Sequence, residues 1–277
     1  MSRKRNHKGN LRGNKGQRGT TPLRHNKSQQ NVLSGDQVEG RQAVRELLLA
    51  GTRKTREIYL AGDLDDAPIL DDIIDLADEA KVTIKEIPRT RFESIAKTES
   101  SQGVVAMAAP LPNYEIQELT QSEAGDAKPF LLIVDGVTDP GNLGAMLRSA
   151  ECAGITGVIL PRHRSARITP AVTKTAAGAI EHLRIATVSG IPAALGRLRE
   201  AGIWLVGLDS GGATSLYDLA IADQPIALVL GSEGRGLSRL TRERCDDLVH
   251  IPLQGVLASL NVSTAAAITV FEIARHR

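Results

Sequence analysis

The chain has 277 residues, 42% of them hydrophobic, with 34 Lys and Arg against 32 Asp and Glu and a formal charge of +2. That length suffices for two packed cores. No apolar run nears the roughly 20 residues of a bilayer span and no apolar stretch follows the basic N-terminus, so a membrane protein and a secreted one are excluded and a cytoplasmic location is expected.

The charge is unevenly spread. Residues 1–30 hold nine bases, among them Arg3, Arg5, Arg12 and Lys27, and no acid, which leaves 25 bases against 32 acids and a net charge of −7 for the remainder. A Gly/Asn/Arg-rich segment with so few apolar residues cannot form a core. Residues 1–33 therefore read as a disordered basic tail that attracts a phosphate backbone without reading sequence.

In chain order, Gln37–Leu49 places Val38, Val44, Leu47 and Leu48 at helical spacing and stops at Gly51. A strand at 57–60, an amphipathic helix around Ile69–Asp78, a strand at 82–87, a short helix near 92–96 and a strand at 104–108 follow, giving a small α/β domain over 34–109. Pro110, Pro112 and Gly125 mark 110–128 as a linker. In the remaining 129–277, the runs 130–134, 158–160, 203–208 and 226–230 are short, continuous and β-rich, as in strands covered on both faces of a parallel sheet. Helices are predicted between them near 142–153, 169–177, 191–201 and 238–245, with a last one from Val262 to Ala274.

Ligands of such sheets collect where strands end at their carboxyl side, and three loops there are unusual. The first, Gly136–Ala150, turns at Asp139-Pro-Gly141, offers Asn142 as a helix N-cap, and carries Arg148 inside a small-residue apolar stretch where a buried charge would need a partner. The second, Gly231-Ser-Glu-Gly-Arg-Gly-Leu237, allows close backbone approach. It lacks the Gly-Lys-Ser/Thr of a P-loop, and Glu233 would repel a pyrophosphate while tolerating adenosine or a sulfonium. The third, Ile251–Ser263, enters the last helix with Ser259, Asn261 and Ser263 as possible caps. Cys152, Cys245 and the six histidines show no metal-ligand spacing, so no metal is expected.

Together, Asn142-x-Gly-x-x-x-Arg148, Leu228-Val-Leu-Gly-Ser-Glu-Gly-x-Gly-Leu237 and Ile251-Pro-Leu-x-Gly-x-x-x-Ser-Leu-Asn-Val-Ser263 resemble, in order and spacing, the signatures of the SpoU/TrmH class of RNA 2′-O-ribose methyltransferases. Gly40-Arg-Gln-Ala-Val44 and Ser101-Gln-Gly-Val-Val105 look like the substrate-binding domain that some members carry. The resemblance is greatest to the branch acting on a guanosine of large-subunit ribosomal RNA, although Gly141 and Ser101 stand where that branch more often has histidine. It implies a parallel-sheet α/β methyltransferase domain tied in a deep trefoil knot, S-adenosylmethionine as methyl donor, RNA as partner, and a homodimer with sites at the interface. It also implies that Gly231, Ile251, Leu260 and Leu208 contact the donor while Asn142, Arg148, Glu233, Ser259 and Asn261 surround the transfer site. Arg148 is expected to stabilise the developing alkoxide and not to act as a base, because a guanidinium holds its proton to above about pH 12. Three rival readings stand beside it: a transfer RNA or resistance-type ribosomal RNA 2′-O-methyltransferase; a non-catalytic RNA-binding assembly factor on the same fold, against which retention of all three loops with Arg148 argues; and a nicotinamide-dependent enzyme using the glycine-rich turn, which the charge of Glu233 disfavours.

Overall fold

The structure is a computed structural model and describes Leu33 and residues 36–121 and 127–277. The expected basic tail, apart from Leu33, lies outside the described residues. Leu33 itself donates its N–H to the Leu111 carbonyl at 2.8 Å and packs on the larger core.

Gly40 decides how the N-terminal unit begins. Its φ of 98° is one that residues with a side chain rarely adopt, so the expected helix from Gln37 is broken in two. Gln37–Glu39 is strand β1, and helix α1 covers only Arg41–Ala50, ending at the left-handed Gly51. A strand of three residues is too short to show a period of two, so local pattern does not separate it from the helix that follows. Its Glu39 is buried, and the carboxylate is satisfied by the Lys97 and Thr98 N–H groups at 2.7 and 3.0 Å. Strand β2 (Thr55–Ala61), helix α2 (Pro68–Glu79), strand β3 (Thr83–Ile87), helix α3 (Arg89–Ile95) and strand β4 (Val104–Ala108) complete a sheet of order β1-β4-β2-β3. Val44, Leu47, Ile73 and Ala77 of the helices close over Val38, Ile58, Val104 and Ala106 of the sheet.

The stretch expected to be linker contains helix α4 (Ile116–Thr120), held by a reciprocal capping box between Glu115 and Glu118. Ile116 and Leu119 are buried in the core of the second sheet. Residues 122–126 lie outside the described residues.

The second sheet consists of β5 (Phe130–Val134), β6 (Gly157–Pro161), β7 (Ile185–Val188), β8 (Trp204–Leu208), β9 (Thr214–Ser215), β10 (Ile226–Leu230) and β11 (Asp247–His250). Its order is β7-β6-β5-β10-β8-β11-β9 and every pairing is parallel. β5 and β10 lie side by side at its centre, fully buried, as their unbroken apolar runs required. Helices α5 (Pro140–Cys152), α6 (Pro170–Thr175) and α9 (Val262–Ala274) contribute to the core on one face, and α7 (Ile191–Glu200) packs on the other. Helix α8 (Arg239–Glu243) leads into β11. After β11 the chain doubles back beside the turn that leaves β10, and α9 then packs against α5.

One buried ion pair joins the two sheets' domains. Arg53 donates from Nε and Nη2 to the two carboxylate oxygens of Glu181 at 2.8 and 2.6 Å, and from Nη1 to the Ala109 carbonyl at 2.6 Å. Its side chains are only 2% and 0% exposed. A bidentate fork with further hydrogen bonds offsets the cost of burying both charges, and losing one partner strands the other. Around it, His182 Nε2 lies 2.9 Å from Glu46 Oε2, and a Cβ on Gly178 would come within 2.5 Å of Glu46 Cβ, so the surfaces meet without room for a side chain. Arg53→Met is expected to lower unfolding stability by about 3–5 kcal/mol in urea titration, and Arg53→Met with Glu181→Leu to recover most of that loss.

Candidate active site

The three loops singled out in the sequence converge at one point. Asp139, and not Asn142, is the N-cap of α5: its Oδ1 accepts from the Asn142 N–H at 2.6 Å, and Pro140 takes the first helical position. Asn142 therefore sits in the first turn, where its amide is free to reach outward. Its Nδ2 donates to Glu233 Oε1 of the second loop, and its Oδ1 accepts from Asn261 Nδ2 of the third at 3.0 Å. Ser263 Oγ lies 3.2 Å from the same oxygen. Asn261 is the true N-cap of α9, its Oδ1 accepting from the Ser263 and Thr264 N–H groups at 2.8 and 3.3 Å. One residue from each loop thus enters a single hydrogen-bonded node.

The second loop is a closed turn in which Ser232 and Gly236 exchange backbone hydrogen bonds of 3.1 and 2.9 Å. A Cβ at Gly231 would lie 2.1 Å from the Gly236 carbonyl carbon, so no other residue fits there without opening the turn. Beside it lies a cleft of about 580 Å³ whose walls include Gly231, Leu208, Ile251 and Leu260, all expected at the donor site, together with Glu233, Ser259 and Asn261. Leu230, Leu253 and Val262 add apolar surface. Among the described residues Asp209 and Glu233 are its charged ones, and no Lys, Arg or His lines it. Asp209 is itself 3.5 Å from Arg242. A polyphosphate would be repelled from such walls, whereas a ligand with an apolar nucleoside and a cationic sulfonium suits them.

Arg148 departs from expectation. It is exposed on α5, makes no hydrogen bond or ion pair among the described residues, and lines no part of this cleft. Six helical residues separate it from Asn142, about 9 Å along the axis. The apolar neighbours in sequence misled because Leu143, Met146 and Leu147 share the buried face and Arg148 points off it. Sequence reasoning also overlooked Asp139 as the cap that frees Asn142, although Asp-Pro-Gly is the signature of a helix start. Both cysteines are free, and burial pushes the Cys245 thiol up to about 12, which leaves it inert as a nucleophile. No group of His, Cys, Asp and Glu that could hold a metal occurs among the described residues.

Asn261→Ala removes the α9 cap and the donor to Asn142 together. It is expected to cost about 1–2 kcal/mol in chemical denaturation, and Asn261→Asp, which keeps the cap acceptor, to cost less.

Residues 129–271 match the SpoU rRNA methylase family, and residues 37–114 match the substrate-binding domain of RNA 2′-O ribose methyltransferases. The 23S rRNA (guanosine-2′-O-)-methyltransferase RlmB of Photobacterium profundum is 37% identical over 248 residues, which cover 88% of this chain and 99% of the relative. A TrmH-family RNA methyltransferase structure from Porphyromonas gingivalis, described as putative, is similar with a TM-score of 0.67 and 29% identity over 87% of this chain and 90% of that one. The SpoU methyltransferase AviRb of Streptomyces viridochromogenes, solved with the cofactor AdoMet, shares the fold with a TM-score of 0.72 at 24% identity, over 87% of this chain and 89% of its own. The chain thus belongs to the SpoU rRNA methylase family, RNA ribose 2′-O-methyltransferases whose methyl donor is S-adenosylmethionine.

Proposed function

We propose that the ribose this enzyme methylates belongs to a guanosine of large-subunit ribosomal RNA, and that it acts in the cytoplasm as a homodimer. The substrate rests on likeness to a relative named for that reaction, a likeness that runs through the small domain as well as the methyltransferase domain. The site rests on one observation, the node in which Asn142, Glu233 and Asn261 meet at the rim of a cleft lined by carboxylates.

When bound, S-adenosylmethionine supplies an electrophilic methyl group on a sulfonium. The chain's own task is to hold the donor's charge, to place the ribose oxygen in line with that methyl, and to ease departure of the hydroxyl proton. Gly231, Ile251, Leu260 and Leu208 form the donor's walls, with the glycine letting it approach the backbone. Asn142 and Asn261, held rigid by each other, orient the ribose, and Ser259 at the rim offers a further hydroxyl. Glu233, held by Asn142, would place its carboxylate beside the bound sulfonium. Transfer of the methyl to O2′ would leave a neutral thioether, with the O2′ proton released to water or phosphate.

Arg148 is the cation suited to the developing alkoxide, yet it lies outside its own chain's cleft. We assign it to the partner subunit's site. The exposed apolar residues around the third loop and α9 favour such pairing: Val256 and Leu257 are 103% and 81% exposed, and Leu253, Leu260 and Phe271 are also exposed.

Arg148→Ala is expected to lower single-turnover methylation of a large-subunit ribosomal RNA transcript by roughly 10²–10³, the scale for one lost oxyanion donor. Mixing Arg148→Ala with Asn142→Ala subunits should restore activity, because each heterodimer regains one intact site; no recovery in exchanged subunits would remove the assignment across the interface. Mapping of ribose methylation on the transcript is expected to find a single guanosine. A methylated pyrimidine, or methylation of transfer RNA alone, would overturn the substrate.

A further inference from the structure

A second cleft, of about 1000 Å³, opens at the carboxyl end of β5 and beside the start of α7. Ser232, Glu233 and Gly236 line both clefts, so the 231–237 turn is a shared wall with the donor on its other side. The two differ in their cations. The donor cleft is lined by carboxylates and, among the described residues, no cation, whereas the second sets Arg164, Arg235 and His163 beside the carboxylates of Asp135 and Glu233. Those two acids are held by neutral donors of the chain: Asp135 Oδ2 accepts from Thr241 Oγ1 at 2.8 Å, and Glu233 accepts from Asn142. The side chains of His163, Arg164 and Arg235 make no hydrogen bond or ion pair among the described residues, so three donor groups face this space unspent.

The loop that carries two of them is not loosely held. Arg162 N–H donates to the Val188 carbonyl at 2.8 Å, and Ser165 Oγ and Ala166 N–H both donate to the Val137 carbonyl, at 3.1 and 2.8 Å. Between these anchors Arg164 has a φ of 60°, the left-handed region that a long side chain seldom occupies without compensation. Anchored backbone strain at an unpaired guanidinium is hard to account for by packing, since the side chain is exposed.

We infer that this cleft receives the target nucleotide of the RNA, with Arg164 and Arg235 gripping the phosphodiesters on either side of its ribose and His163 adding a third donor. The inference rests on the methyltransferase reading above and adds the residues that position its substrate. Guanidinium forks match phosphate oxygens two at a time, and a volume of this size admits a nucleotide taken out of its stack. The shared wall then sets the ribose against the rim where Glu233, Asn142 and Asn261 meet. Segregating anion and cation sites on the two sides of one turn also keeps the donor's positive charge away from the arginines.

The test compares wild type with Arg164→Gly and Arg235→Ala, using an unmodified large-subunit ribosomal RNA transcript over a range of KCl concentrations. Each variant is expected to raise KM for the transcript about 10-fold or more and to make the slope of log affinity against log salt shallower by about 0.7, the loss of one phosphate contact. Calorimetric binding of S-adenosylmethionine should be unchanged. Glycine relieves the left-handed position, so the Tm of Arg164→Gly should not fall, which separates a lost contact from a damaged fold. If the variants bind the donor like wild type and also keep its KM and salt slope, the cleft is not a nucleotide site and the inference is overturned while the methyltransferase reading stands. Failure of the wild-type protein to bind S-adenosylmethionine would overturn that reading itself, and this inference with it.

Discussion

The convergence of the three strand-end loops depends on one side chain, the amide of Asn142, which donates to the second loop and accepts from the third. A carboxamide can do both at once because it carries a donor and an acceptor on one rigid plane. Its availability is a consequence of Asp139 taking over the capping of α5. Had Asn142 capped the helix, its oxygen would have been spent on the backbone and the loops would have lacked a common anchor. The glycine-rich turn and the α9 entry are short and exposed, so this node supplies the order that burial gives elsewhere.

Charge sorts the surroundings of that node. The cleft beside Gly231 carries carboxylates and, among the described residues, no cation, while the adjoining cleft adds Arg164, Arg235 and His163 to Asp135 and Glu233, and a single turn divides them. The cations of the molecule's functional end therefore stand on one side of that turn. The closeness of Gly231 to Gly236 keeps that wall thin.

The docking of the small domain is of a different nature. Arg53 and Glu181 are sealed from water, and their bidentate geometry permits little rotation of one domain against the other without exposing an unpaired charge. A ball-and-socket contact of apolar residues would allow sliding at small cost; a buried ion pair does not. The small domain is thereby held against the domain that carries the three loops.

Much of this was written in the linear chain. Continuous apolar runs such as Phe130–Val134 and Ile226–Leu230 announced strands buried on both faces, because only such strands need no polar residue at alternate positions. Gly231, Ile251, Leu260 and Leu208 are expected at a donor site because the three segments resemble a known family, and the fold brings all four to the wall of one cleft. The three-residue β1 and two-residue β9 were not legible, since elements so short carry no periodicity and exist by pairing with distant partners. Arg148 was legible in part: Leu143, Met146, Leu147 and Ala150 recur at i, i+3, i+4 and i+7 and place it off the buried face, whereas what meets its exposed side chain is not written in one chain's local pattern. The pairing of Arg53 with Glu181, 128 residues apart, is likewise a property of the folded chain. Sequence determined the chemistry available and the elements that carry it. Tertiary structure decided which of those groups meet, because hydrogen bonds and ion pairs depend on ångström distances that only the closed fold creates.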